Sequence, residues 1–158
     1  MSIEPLAQPK LSLHAAVKRS VRSQFGAICY RVKNGKTQIL LVTSRTRGRW
    51  ITPKGWPVPG QKPAGTAKRE AWEEAGAEGR VHKQCLGIYS YTKNGFASGA
   101  LPCVVALYAL KVKKLSKDYP EKSERKRKWF TPKKAAAAVH EPELQKILRS
   151  FDPKALNG

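Results

Sequence analysis

Glu70, Glu73 and Glu74 stand in the stretch KREAWEEAGAEG, residues 68–79. On a helix this spacing is i, i+3 and i+4, so the three carboxylates share one face. Each like-charged pair at such a spacing costs about 0.2–0.5 kcal/mol on an exposed helix. A divalent cation offsets that repulsion directly. Hard oxygen ligands with a few waters suit Mg2+, with Mn2+ as the alternative. Arg69, four residues before Glu73, is a further partner, whereas Glu78 lies past Gly76 and faces away. The competing reading is an ordinary solvated acidic face. The rest of the chain argues against it. With 31 Lys and Arg, 11 Asp and Glu and a formal net charge of +20 over 158 residues, carboxylates are scarce everywhere else.

The elements that must position this cluster are legible in outline. Residues 25–33 and 38–44 are β-prone runs around Asn34-Gly35, a dipeptide that tolerates the positive φ angles of a tight hairpin turn. Residues 45–65 hold four prolines and several glycines and read as a long structured loop, a common seat of function. From Pro63 to Ala75 the pattern is helical, with proline in the first turn, Gly76 as the stop and Ala67, Ala71 and Ala75 as the packed stripe. Residues 84–92 read as a strand, Asn94-Gly95 as a second turn, and 102–112 as a nearly continuous apolar strand central in a sheet. Residues 111–134 are a basic run in which 128–130 look like a short strand. Residues 133–140 and 141–151 read as helices, the second with Leu144, Ile147, Leu148 and Phe151 on one face. Strands, helix, strands and helices in this order predict a mixed α/β or α+β sandwich.

A charge of +20 favours polyanionic partners: nucleic acid, an anionic membrane surface or a small substrate dense in phosphate. Cys29, Cys85 and Cys103 form no metal-ligand pair and read as thiols of a reducing compartment. No apolar run approaches bilayer-spanning length, so no membrane partner is expected. Residues 1–20 lack a secretory h-region. Pro5 and Pro9 also speak against a secretory signal; the basic, acid-poor composition is compatible with a transit peptide, and the reading adopted is a flexible arm ahead of a domain over 21–152 in a cytoplasmic protein.

Residues 55–77, GWPVPGQKPAGTAKREAWEEAGA, resemble a Nudix box. Gly55, Arg69, Glu70, Glu73, Glu74 and Gly76 fall at the family's spacing. Gln61 replaces the first box glutamate, and Ala71 and Ala77 stand at the aliphatic positions. FGAICYRV, QILLVTSRTRGRWITPKGW and RKRKWFTPKKAAAAV are similar to diphosphoinositol polyphosphate phosphohydrolases, a subgroup that also contains diadenosine polyphosphate hydrolases. The resemblance implies the Nudix fold, a mixed-sheet α/β/α sandwich with the box as loop–helix–loop. It also implies Mg2+-dependent hydrolysis of a phosphoanhydride. Glu70, Glu73, Glu74 and the Gly55 carbonyl are then the metal ligands, with Arg69 as partner of Glu73. Arg22, Ser44, Arg45, Lys54, Arg125 and Arg127 are then the substrate contacts. Gln61 retains the ability to hydrogen-bond Arg69, without charge.

Two other readings compete. An RNA 5′-pyrophosphohydrolase would use the basic surface on an RNA backbone, although no aromatic-rich basic stripe accompanies it. A Nudix-fold binding or regulatory module without catalysis is suggested by Gln61 and opposed by the retention of three repelling carboxylates. Either a monomer or a homodimer is compatible with the chain.

Overall fold

The computed structural model describes residues 8–11, 21–96 and 99–156. Of the arm expected over 1–20, residues 1–7 and 12–20 lie outside the described residues. Within 8–11, the Gln8 side chain pairs with the backbone of Ile88, donating from Nε2 to its carbonyl at 2.7 Å and accepting from its N–H at 2.6 Å.

Among the described residues, seven strands form one mixed sheet. β1 (Arg22–Lys33) and β2 (Lys36–Thr43) are the expected hairpin, and Asn34 and Gly35 take φ angles of 52° and 74°. β3 (Trp50–Ile51) and β4 (Lys54–Gly55) are short strands inside the long loop. β5 (Ala77–Phe96) and β6 (Gly99–Leu115) form a long irregular ribbon, and β7 (Arg127–Phe130) pairs with β2. The main path runs β3-β2-β1-β6-β5, with β1 and β6 parallel and the other pairings antiparallel. β6 is therefore interior, as its apolar run predicts.

Asn94-Gly95 does not form the hairpin tip. Pairing continues through Lys93 opposite Leu101 and resumes at Phe96 opposite Gly99, so Asn94 and Gly95 fall at an irregularity within β5. The tip itself, residues 97–98, lies outside the described residues.

Helices cover both faces. α1 (Pro63–Ala75) lays Ala67, Ala71 and Ala75 on Ala27, Cys29, Leu40 and Val42. α2 (Pro132–Ala138) and α3 (Pro142–Arg149) cover Ile28, Tyr30, Ile39 and Leu41 from the other side. Alternation along β1 and β2 thus serves two cores, since successive side chains of a strand point to opposite faces. The three alanines are fully buried, so their small side chains bring the α1 backbone close to the sheet. No helix among the described residues is long and apolar enough to cross a membrane. Cys29 and Cys103 are buried and Cys85 half-buried, all three as free thiols.

Candidate active site

α1 begins with Pro63 in its first turn and stops at Gly76, whose φ of 64° places it in the left-handed region. Gly76 donates its N–H to Trp72 O at 2.9 Å, and Arg127 Nη1 donates to Ala75 O at 2.8 Å. Between these ends the alanine stripe fixes the rotation of the helix. Glu74, adjacent to that stripe, is turned inward and is 6% exposed, whereas Glu70 and Glu73 are half-buried.

The loop before α1 is strapped to the sheet. β4 pairs with Phe25 and Gly26 of β1, and Ala27 donates its N–H to Pro53 O at 3.0 Å. This places Gly55 directly beneath Glu70, where an added Cβ would collide with the Glu70 carboxylate. The Lys54 N–H donates to Glu74 Oε1 at 3.3 Å. A larger residue at position 55 would displace the Glu70 carboxylate from where it now lies.

Each acid has a different environment. Arg69 Nε donates to Glu73 Oε1 at 2.9 Å. Arg125 Nη2 lies 3.4 Å from Glu74 Oε2, with both side chains 7% exposed. Glu70 has no ion pair with a protein cation among the described residues. Desolvation raises the Glu70 carboxyl to about 7, reinforced by the charges of Glu74, Glu73 and Glu121. Burial also raises Glu74 to about 7, outweighing the attraction of Arg125 and Lys54. No three His, Cys, Asp or Glu among the described residues are already converged as a metal-holding group. Glu73 and Glu74 instead lean on their arginines.

Glu121 is the acid that sequence reasoning missed. Its N–H donates to Glu73 O at 2.9 Å, which docks the 116–126 loop against the end of α1, and its carboxylate accepts from Arg125 Nε at 2.9 Å. Glu121 joins Glu70, Glu73 and Glu74 around a cavity of about 290 Å³. The available signal was its position as one of three acids within the basic run 111–134.

The predicted residues sort clearly against this cavity. Gly55, Ser44, Arg45, Lys54 and Arg125 line it with the glutamates. Ser44 closes a turn by accepting the Arg49 N–H on Oγ at 3.0 Å, which leaves its O–H to donate elsewhere. Arg45 pairs loosely with Glu124 at 3.6 Å. Arg125 lines the wall but spends its donors on Glu121, Glu74 and, at 3.0 Å, on Thr43 O. Arg69 lies outside the cavity, beside Gln61 on a shallow groove. Arg22 is exposed at the start of β1 and does not line the cavity, although Gln24 does. Arg127 is a correction: it caps α1 and stacks over Tyr119 at 4.8 Å, so it holds the helix end instead of facing the cavity. The two loop tryptophans divide. Trp50 packs on Phe130 at 5.0 Å, while Trp56 is 40% exposed on the cavity rim.

A mixed sheet between helices, with a glycine-led loop and an acidic helix converging on one polar cavity, defines a hydrolase of the Nudix-fold class. The chain belongs to the Nudix family: the family model for the NUDIX domain matches residues 22–151. It is 29% identical over 140 residues to human diphosphoinositol polyphosphate phosphohydrolase 3-alpha, covering 84% of this chain and 81% of that protein. It is 31% identical over 119 residues to Nudix hydrolase 12, mitochondrial, of Arabidopsis thaliana, spanning 73% of this chain but 59% of that relative. In fold it is similar to the crystal structure of C. elegans Ap4A hydrolase, with a TM-score of 0.58 at 24% identity over 82% of this chain and 94% of that one. E. coli dihydroneopterin triphosphate pyrophosphohydrolase shares the fold with a TM-score of 0.63 at 15% identity, over 82% and 93% of the two chains.

Proposed function

We propose that the protein hydrolyses a phosphoanhydride bond in a polyphosphorylated substrate, of the class that contains diphosphoinositol polyphosphates and diadenosine polyphosphates, with Mg2+ or Mn2+. One observation carries this reading. The carboxylate cavity adjoins a second cavity that carries Arg47 and Arg49, and Lys54 and Lys93 line both. Acidic groups for a cation and basic groups for phosphate thus lie side by side.

The residues fit a hard divalent ion. The donor set is all oxygen, Glu70 makes no ion pair among the described residues, and the Gly55 backbone is open to the Glu70 carboxylate. Glu70 and Glu74 would hold the ion, with Glu73, Glu121 and the Gly55 carbonyl completing its surroundings. When bound, it supplies neutralisation of phosphoryl charge and acidification of water. The protein's own groups do the rest. Ser44, Arg45 and Lys54 take phosphate oxygens, and Arg69 keeps Glu73 oriented. A water oxygen adds to phosphorus, the bridging P–O bond breaks with its electron pair on the departing phosphate, and a clustered carboxylate takes the water's proton.

Release of phosphate or nucleotide from a panel tests the reading. The panel contains a diadenosine polyphosphate, a diphosphoinositol polyphosphate, ADP-ribose and 5′-triphosphorylated RNA. Turnover of either of the first two, abolished by chelation, is expected. Turnover of RNA alone would replace the reading, and none at all would favour a binding module.

A second test needs no turnover. Glu70 and Glu74 both have folded pKa values of about 7 against an ordinary 4.5. The native protein then binds more protons than the unfolded chain between those limits, so its stability falls as pH rises across the window. A cation that binds the ionised carboxylates restores it by mass action. The Tm of the metal-free protein should therefore drop from about pH 5 to about pH 8, and Mg2+ should raise it more at the higher pH. A Mg2+ increment independent of pH would contradict this assignment of the ligands.

A further inference from the structure

A small phosphorylated substrate occupies few of the protein's cations. Among the described residues, Arg45, Arg47, Arg49, Lys54, Lys93 and Arg125 line the two cavities, against 31 Lys and Arg in the chain. The acids gather there as well: Glu70, Glu73, Glu74 and Glu121 line one cavity and Glu141 the other. The surface left over is rich in cations and poor in acids, and the sheet organises one part of it. Because β1 and β6 are parallel and β5 is antiparallel to β6, the end of β1, the end of β6 and the start of β5 meet at one end of the sheet. The catalytic cavity lies toward the other end, where Gln24 of β1 lines its wall. From Gln24 to Lys33 is about 30 Å along the strand, at the usual rise per residue.

The helical layers stop short of that end. β1 is buried at Tyr30, on which Phe151 packs at 5.2 Å, and 53% exposed at Val32. β6 passes from buried Leu110 to exposed Lys111. Beyond these points both faces of the sheet are cationic. Lys111 is the partner of Tyr30 in the parallel register, so it shares the α3 face, as does Lys113 two residues on. Arg80 of β5 stands directly opposite Lys111. On the α1 face, in the row of Ala27 and Cys29, Lys33 stands directly opposite Lys36. Like charges directly opposite one another across a strand pair are destabilising. Lys33, Lys36, Lys111 and Lys113 are all exposed, and none enters an ion pair among the described residues. The charges beside them are engaged elsewhere. Arg31 donates to Gln38 Oε1 at 2.7 Å and lies 4.0 Å over the Trp129 ring. Glu78, opposite Lys114, accepts from Ser116 Oγ at 2.7 Å. Asp152, next to Phe151, accepts the Lys154 N–H at 3.0 Å.

We propose that this end of the sheet binds single-stranded nucleic acid through its phosphates, without regard to sequence and apart from the catalytic cavity. The binding does not depend on hydrolysis. A chain of phosphates offsets the repulsion of both lysine-bearing strand pairs at once, and a lysine ammonium is a compact donor for phosphate oxygens. Lys111 and Lys113 repeat along β6 at about 6.6 Å, twice the rise per residue, so one flexible chain can meet them in succession. The cations stand on both faces of the sheet end, which a flexible strand can wrap around. A planar bilayer meets only one of those faces and is held by apolar side chains entering it. Among the described residues the exposed large apolar side chains are Val32 and Trp56, and only Val32 stands at this end. Phosphate contacts carry no sequence information, so oligouridylate and oligoadenylate should bind alike.

Fluorescence anisotropy over a salt series tests this, with the full chain in chelator and a labelled oligouridylate that ends in a 5′-hydroxyl and so offers the carboxylate cavity no polyphosphate. Wild type is compared with two variants of equal charge. One combines Lys33→Gln, Lys36→Gln, Lys111→Gln and Lys113→Gln. The other combines Lys62→Gln, Lys68→Gln, Lys133→Gln and Lys134→Gln, at exposed positions in and beside α1 and α2. The first should weaken binding by roughly tenfold or more and flatten the dependence of log affinity on log salt by up to about 2.8, four contacts at about 0.7 each. The second should change both far less. Bound oligonucleotide should also protect Lys111 and Lys113 of the wild type from acetylation, a readout that needs no variant. Equal losses in the two variants would mean that affinity follows net charge alone, and would overturn the surface. So would absence of binding, or tighter binding of phosphatidylserine vesicles or polyglutamate than of the oligonucleotide. Turnover in the substrate panel should be the same in wild type and the first variant, so failure of the hydrolase reading and failure of this surface are told apart.

Discussion

Glu70→Gln should lower turnover by roughly three orders of magnitude while leaving the fold intact. Loss of a charge that holds a catalytic cation removes several kcal/mol of transition-state stabilisation, and each 1.4 kcal/mol is about a factor of ten. Glu70 is the sharpest choice because, among the described residues, it is the box carboxylate of α1 that makes no ion pair. Three acids, Glu74, Glu73 and Glu121, push its carboxyl upward together with burial. The neutral isostere relieves that repulsion, so the metal-free variant should melt at or above the wild-type temperature near pH 8 and lose part of the Mg2+-induced increment. Steady-state kinetics beside thermal melts checks both halves. A variant that keeps wild-type turnover removes Glu70 from the machinery. One that unfolds would make Glu70 a structural acid.

Arg125→Ala should be the most destabilising single change at the site, by about 3–5 kcal/mol, the usual cost of removing one partner from a buried ion pair. The resemblance to phosphohydrolases suggests a phosphate contact for this residue, but the structure surrounds it with protein. Its side chain is 7% exposed and engages Glu74, Glu121 and the Thr43 carbonyl. Without it, Glu74 and Glu121 lose the cation they share, and the 116–126 loop keeps only the Lys126–Thr43 hydrogen bonds as ties to the end of β2. Urea unfolding should show the midpoint shift. Arg45→Ala, at an exposed residue on the cavity rim, should leave stability unchanged and weaken phosphate-rich ligands. Should Arg125→Ala keep wild-type stability and lose only affinity, the phosphate-contact role would be restored.

Much of the framework was legible because it is written in short-range physics. Pro63, the Ala67–Ala71–Ala75 spacing and Gly76 delimit α1 through backbone and packing preferences acting within a few residues. Asn34-Gly35 marks its hairpin for the same reason, by tolerating positive φ. The second Asn-Gly failed as a turn because β5 and β6 keep pairing across it, and a long ribbon overrides a local preference. Arg127 illustrates the same limit in function: the resemblance to phosphohydrolases implies a phosphate contact, while the end of α1, distant in sequence, supplies a carbonyl and Tyr119 instead.

From the sequence alone come the acidic helix face, the glycine that must precede it, the family and the surplus of positive charge. Spacing along one helix and the composition of one loop are local quantities. The tertiary structure alone decided that Glu121 joins the three box glutamates, that Arg125 is buried between two of the four, and that Glu141 stands in the wall of an otherwise cationic cavity. Those placements depend on strand order and on the docking of distant loops and α3. Burial and neighbouring charge, which set each carboxylate's affinity for protons and cations, exist only once those elements have met.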